Sequence, residues 1–282
     1  MKAKIRELFI SPPGKLLLAV DFSQGETWIT AHLANEQMMI EFLTNSDVHT
    51  ETANFLFHPA HLCHEWVKKG KGAICTTCGQ EIIETERFIG KKNNHANSYG
   101  QGAERQAQGI NKESDKPPYV TVSIKQCRDY QEAWHNLYPN IHNVWHMEVQ
   151  RELISKRTLI TPYGFRRRFY EHMNDQLFKA AYAFVPQSTL LDHCSGKLQP
   201  GNEIPGGLRE VKKIFVDCFP NDFKIINMSH DSFCMECPAN QVKEVGESCI
   251  KIMQRPMIVN GMEFTIPVDA EVGENYGNME SL

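Results

Sequence analysis

Leu16-Leu17-Leu18-Ala19-Val20-Asp21-Phe22-Ser23-Gln24-Gly25-Glu26 is an apolar run that ends in a carboxylate and turns into a polar, helix-compatible stretch. A second segment, Ile225-Ile226-Asn227-Met228-Ser229-His230-Asp231-Ser232-Phe233, has the same form. Both read as strands delivering an aspartate to a strand end. Either acid alone reads better as a turn-capping Asp, and it is the pair with the segment between them that points to a site. Between them runs Arg87-x3-Lys91-x3-His95-x3-Tyr99-Gly100. Its i+4 steps drift about 40° each, so the four side chains share one broad helix face. Paired strand-end carboxylates can hold divalent cations through oxygen, and a cationic helix can hold phosphates.

Working outward, helix is expected from Gln24 to Ala34, from about Thr85 to Gln108, from Ile124 to Leu153 and from Asp175 to Leu191. Strands are expected before Asp21 and on both sides of His230-Asp231. Asn111 to Pro118 reads as an exposed loop, and Lys92, Asn93 and Asn94 as a solvated helix face. Gly90 weakens its helix by about 1 kcal/mol relative to Ala. The mixture predicts an α+β fold, with a small antiparallel sheet carrying the acids and helices around it.

The 282 residues hold 30 Lys and Arg against 34 Asp and Glu, a net charge of −4. That balance excludes a passive, strongly basic nucleic-acid coat but suits a protein that gathers cations in a cleft. No apolar run reaches the length of a membrane span, and no signal-peptide core follows Met1, so no membrane partner is expected. Nine cysteines, odd in number and unevenly placed, suit a reducing cytoplasm better than a disulfide framework.

His58, His61, Cys63 and His64 precede Cys75-Thr76-Thr77-Cys78-Gly79. A C-x2-C-G knuckle with an upstream His/Cys cluster is a structural zinc signal. Cys75 and Cys78 are the firmest candidate Zn2+ ligands and Cys63 the next, with the fourth place open among His64, His61 and His58. Cys234 and Cys237 form another C-x2-C but lack a second pair, and read as core cysteines.

Together these segments resemble the motifs of the family A DNA polymerases, the class of bacterial DNA polymerase I and several bacteriophage replicases, and the chain is read as the phage type. Asp21-Phe22-Ser23-Gln24-Gly25-Glu26 with Ala31-His32-Leu33 is similar to motif A, and Arg87, Lys91, Tyr99 and Gly100 to motif B. Ser229-His230-Asp231-Ser232 is similar to motif C. Asp47-Val48-His49-Thr50-Glu51-Thr52-Ala53, Tyr163-Gly164-Phe165-Arg166-Arg167-Arg168 and Pro186-Gln187-Ser188-Thr189 match further segments in the family's order.

The resemblance implies template-directed DNA synthesis with deoxynucleoside triphosphates on primer-template DNA, by two Mg2+ ions held by Asp21, Asp231 and the Phe22 carbonyl. It implies that Arg87, Lys91 and His49 contact the triphosphate, with Lys91 the general acid for pyrophosphate. Tyr99 stacks near the templating position and Glu26 selects against ribonucleotides. Gln187 and His230 read the minor groove, and Arg166, Arg167 and Arg168 grip the backbone. His95, Ser232 and Lys179 depart from the pattern, which has an aromatic residue, Glu and Arg there. The implied layout is palm at 1–36, fingers at 37–160 with a zinc-knuckle insertion at 58–86, and palm at 161–282. A separate upstream polypeptide carrying thumb and exonuclease is expected, meeting this chain at Ile5–Ile10. In a phage the location is the host cytoplasm. The alternatives are an inactive polymerase remnant that binds nucleic acid, a single-subunit RNA polymerase relative, which Glu26 opposes, and a zinc-dependent binding module.

Overall fold

The computed structural model describes residues 5–196, 198–199, 202–203 and 206–282. After a short 3-10 turn at Ile5–Leu8 come β1 (Lys15–Phe22), α1 (Gly25–Ala34), α2 (Gln37–Asn45) and α3 (Val48–Phe57). Three short strands follow, β2 (Trp66–Lys69), β3 (Gly72–Cys75) and β4 (Glu81–Ile82). Then come α4 (Glu84–Ser98), α5 (Ala103–Asn111), α6 (Ile124–Leu137), α7 (Met147–Lys156), β5 (Thr158–Ile160), β6 (Arg166–Arg168) and α8 (Asp175–Ser195). The chain closes with β7 (Leu198–Gln199), β8 (Asn202–Glu203), α9 (Gly207–Val211), β9 (Lys224–Ser229), β10 (Ser232–Pro238), α10 (Val242–Met253), β11 (Pro256–Val259), β12 (Met262–Thr265), β13 (Val268–Asn275) and β14 (Asn278–Ser281).

The chain divides into two compact units. The first comprises residues 1–26, 160–165 and 187–282. Its centre is a five-stranded antiparallel sheet in the order β14-β13-β1-β10-β9. Strand β1 is central because its apolar residues are buried: Leu17, Leu18 and Val20 are all at most 1% exposed. Helix α10 packs on β1, β13 and β10 and buries Val245, Cys249 and Met253. Cys234 and Cys237 are both buried in β10, and burial pushes each thiol up to about 12, as core cysteines require. Ser23 and Gln24 turn the chain from β1 into α1, with Gln24 at φ 57°. A Cβ on Gly25 would lie 2.7 Å from Leu190, so this turn tolerates only hydrogen there without repacking.

The second unit comprises residues 27–159 and 166–186. It is mainly helical, with α3, α4 and α6 packed together around Trp134 and Tyr138, both fully buried. Asp47 caps α3 by accepting from the Thr50 amide at 3.0 Å, and Ser123 with Gln126 forms a capping box on α6.

Two expected helices are interrupted. The one expected from Thr85 to Gln108 ends at Ser98, and Gly100 takes φ 65° before α5 begins. The one expected from Ile124 to Leu153 stops before Pro139, which cannot continue the hydrogen-bond ladder, and resumes through a wide turn at Ile141–His146. No helix of the described residues is long and apolar enough to cross a membrane.

Candidate active site

In the first unit the two acid-bearing segments are joined by backbone. Asp21 pairs with Ser232 in the β1–β10 register, and the Phe22 amide donates to the Asp231 carbonyl at 3.4 Å. Asp231 lies in the tight turn between β9 and β10, beside His230 at φ 53°. On the other side of β1, Asp21 pairs with Asp269 of β13. Residues directly opposite in an antiparallel pair share a face, so Asp21, Ser232 and Asp269 project from one side of the sheet. Their neighbours Val20, Phe233 and Ala270 are buried on the other.

The carboxylates are crowded. Burial and the adjacent Asp231 push Asp21 up to about 6, with smaller contributions from Asp269 and Glu271. Asp231 is also raised, chiefly by burial, and shares a hydrogen bond with Asp21. Clustered oxygen donors whose ionisation is opposed by their own proximity suit a hard divalent cation, so the residues present fit magnesium. Glu26, raised by burial, accepts from Gln187 and feels both Asp231 and His230. The structure thus gathers Asp21, Asp231, Glu26, Gln187 and His230 in one unit. The Ser232 hydroxyl turns back to the Ser229 carbonyl at 3.0 Å and closes the hairpin.

The second unit carries the basic ladder. Lys91 and His95 are exposed on α4, and Arg87 is half-buried. Arg87 Nε donates to Asp47 Oδ2 at 2.7 Å, so the cap of α3 also orients the guanidinium. His49 is buried at 7% exposure. Burial holds it down to about 4 against the pull of Asp47, with Arg87, Lys91 and His95 adding to the depression. Arg87, Lys91 and His95 therefore lie near enough to His49 to act on its charge. His95 and Tyr99 meet edge to face at 5.2 Å.

The solvated face expected for Asn93 and Asn94 is overturned. Both are at most 1% exposed, and Asn94 is a hub. Its Oδ1 accepts from Thr52 at 3.0 Å and from Trp134 Nε1 at 2.7 Å, while Nδ2 approaches His49 Nδ1 at 3.0 Å. An amide donor at Nδ1 fixes the neutral imidazole with its proton on Nε2. Gly90, too, has a structural reason: α4 lies so near α3 that a Cβ there would meet backbone. Neither Asn94 nor Gly90 was marked by composition, but an Asn pair one helical step from a basic ladder was the available signal. Asp269 was also missed, although Val268-Asp269-Ala270-Glu271-Val272 alternates as a strand with one acidic face.

Comparison with known proteins decides the family. The family model described as DNA polymerase family A matches residues 1–188. The chain belongs to DNA polymerase family A. Among relatives of this family A chain, DNA polymerase I of Synechocystis sp. is 27% identical over 99% of the chain and 26% of that protein. DNA polymerase I B, chloroplastic/mitochondrial, of Arabidopsis thaliana is 24% identical over 97% of the chain and 26% of that protein. The family A chain thus spans about a quarter of the length of these curated relatives. A solved structure, the POL domain of Pol1 from M. smegmatis in complex with DNA primer-template and dNTP, superposes with a TM-score of 0.67 at 17% identity. It covers 98% of this chain and 43% of that one, and shows that the fold is shared.

Arg166, Arg167 and Arg168 of this family A chain form an exposed strand. Arg167 lies over Phe169 at 4.5 Å and Arg168 over Tyr170 at 5.6 Å, which stiffens both guanidinium groups. Lys179 pairs with Asp175 one turn earlier on α8 at 2.9 Å.

The cysteine segment forms the three-stranded β2-β3-β4 sheet. His61, Cys63, Cys75 and Cys78 bring one ligand atom each to within 4.8 Å of one another. A tetrahedral zinc–thiolate site needs edges of about 3.8 Å, so this donor set fits the ion. Burial raises the Cys75 thiol, but amides of Cys78 and Thr77 and the side chains of Cys78 and His61 outweigh it and bring it down to about 6. His61 is the histidine of this group, and its Nε2 lies 2.9 Å from Cys78 Sγ. His64 and His58, the other candidates for the fourth place, lie outside this group, with His64 Nδ1 2.8 Å from Glu51 and His58 Nε2 3.2 Å from Glu86.

Proposed function

We propose that this chain supplies the palm and fingers chemistry of DNA-directed DNA synthesis, transferring deoxynucleotides to a primer 3′-end. The observation that carries the reading is the convergence of Asp21 and Asp231 at one strand end, where burial and then the neighbouring Asp231 push Asp21 up to about 6. Asp21, Asp231 and the Phe22 carbonyl would hold two magnesium ions. When bound, these supply activation of the primer hydroxyl and charge neutralisation on the triphosphate.

The chain's own residues do the rest. Arg87, oriented by Asp47, and Lys91 bind the β- and γ-phosphates, and Lys91 can donate a proton to departing pyrophosphate. His49, held neutral by burial with Nδ1 facing Asn94, presents its Nε2 proton to a phosphate oxygen. His95 replaces the aromatic residue that would pack on the sugar. Glu26, fixed by Gln187, excludes a ribose 2′-hydroxyl and so favours DNA over RNA synthesis. Gln187 and His230 contact minor-groove acceptors common to all correct pairs. The three arginines at 166–168 and Tyr99 place primer and template. Primer-template affinity sums many backbone contacts. In this reading a separate polypeptide carrying thumb and exonuclease adds to those contacts.

Primer extension tests this reading. With magnesium and a thumb-bearing partner, the chain should extend a primer with deoxynucleotides and discriminate against ribonucleotides. Lys91→Ala should cut the rate by about a hundredfold or more. Extension by Asp21→Asn at the wild-type rate would refute the mechanism.

A further inference from the structure

The histidines passed over as metal ligands tie the metal cluster to the helices that carry His49 and Arg87. His64 follows Cys63 directly, and its Nδ1 contacts Glu51 on α3, whose side chain is 0% exposed. The second oxygen of Glu51 is buried and has no hydrogen-bond partner among the described residues, so His64 is what compensates this carboxylate. Glu51 lies two residues beyond His49. On the other side, His58 Nε2 contacts Glu86, the neighbour of Arg87, while Gln80 reaches His58 Nδ1 at 3.3 Å. A third tie runs from Asn54 of α3 to the carbonyl of His61, itself a cluster member, at 3.2 Å.

The segment that makes these contacts has almost no core. Within residues 58–83 the buried apolar side chains are Ala73, Cys75 and Ile82. Three such side chains do not order a segment of this size, whereas a bound metal does.

We propose that zinc at His61, Cys63, Cys75 and Cys78 positions the triphosphate-binding side chains, with His64 and His58 as the positioning residues that pass its constraint to α3 and α4. The proposal rests on the assignment of His49 and Arg87 to the triphosphate. With the metal bound, the segment is rigid, and His64 and His58 meet Glu51 and Glu86 in fixed geometry. Without it, Glu51 is left as a buried carboxylate lacking its partner, and α3 must shift to rehydrate it. That shift moves His49.

The test uses the full chain, loaded with zinc or stripped by chelator, with inorganic tripolyphosphate as the probe. His64→Ala should retain stoichiometric zinc but bind tripolyphosphate roughly tenfold more weakly. It should also speed amide hydrogen exchange in α3 while leaving β1 and β10 unchanged. His64→Asn, which restores a donor near the position of Nδ1, should recover most of the affinity. Chelation, or Cys75→Ser with Cys78→Ser, should reproduce the His64→Ala result in larger measure. Zinc-retaining His64→Ala with wild-type affinity and wild-type exchange in α3 would overturn the brace alone. Failure of the zinc-loaded wild type to bind tripolyphosphate would overturn the triphosphate assignment and this proposal with it.

Discussion

Gly90 and His49 lie so close that a Cβ on the glycine would stand 2.5 Å from the histidine's carbonyl oxygen and 3.0 Å from the Ala53 amide. Both obstacles are backbone, so neither can rotate aside. On an isolated helix Gly90→Ala would stabilise by about 1 kcal/mol. Here the sign should reverse: the variant should unfold at lower urea and bind nucleotide more weakly, because α4 must back away from α3. Urea titration with a nucleotide-binding curve checks this, and a stabilised variant with normal binding would contradict it.

Asn94 should be among the costliest polar residues to lose. Asn94→Ala strands the buried Trp134 donor, while Thr52 keeps the Val48 carbonyl as an acceptor, so a loss of about 1–3 kcal/mol is expected by chemical denaturation. Asn94→Asp keeps both acceptor contacts but removes the donor to His49. It should therefore protonate His49 at Nδ1, which nitrogen-15 spectra of the imidazole would report directly.

Acid should unfold the protein earlier than its carboxylates alone would suggest. Burial holds His49 and His146 down to about 4 and His193 to about 3, against 6.5 when unfolded. These bases are neutral in the fold and protonated in the unfolded chain, so their contribution is full above pH 6.5 and is lost as pH falls toward 4. Asp21 opposes this: raised from 3.8 to about 6, it takes up a proton more readily when folded. Burial also raises Glu26, Glu36 and Asp231, but it depresses His32, His95 and His135 as well, so the histidines outnumber the opposing carboxylates and leave a net loss. The thermal midpoint should drop steadily between pH 6.5 and 4, and a flat profile there would show that the histidines are charged in the fold.

Removing a charge at the acid cluster should separate stability from chemistry. Asp21→Asn relieves the crowding with Asp231, so in EDTA at neutral pH the variant should melt at or above the wild-type temperature. Added magnesium should raise the wild-type midpoint but not the variant's, and primer extension by the variant should vanish. Thermal shifts with and without magnesium settle the point.

The acid-bearing strands and the ladder on α4 were legible because strand alternation and i+4 spacing are local patterns. The three cysteines of the candidate metal cluster were legible from spacing. The histidine that joins them was not: His58, His61 and His64 differ only in which partner the chain path brings to each. Glu51 and Glu86, which claim His64 and His58, look in sequence like ordinary helix charges. Asn94 and Gly90 were illegible for a related reason, since their roles exist only in the contact between α3 and α4. Pro139, by contrast, was a visible helix stop inside the span expected to be continuous.

The β1–β10 ladder runs without a break from Lys15↔Pro238 to Asp21↔Ser232. A period of two makes that ladder an alignment gauge for the chain's own history. Inserting or deleting one residue in either strand would swing Asp21 into the place of Val20 and bring a buried valine to the surface. Point changes along these strands can be absorbed one at a time, but length changes cannot. A one-residue length change between Lys15 and Asp21 should therefore cost the core and the acid cluster together, a penalty that a longer loop elsewhere does not carry.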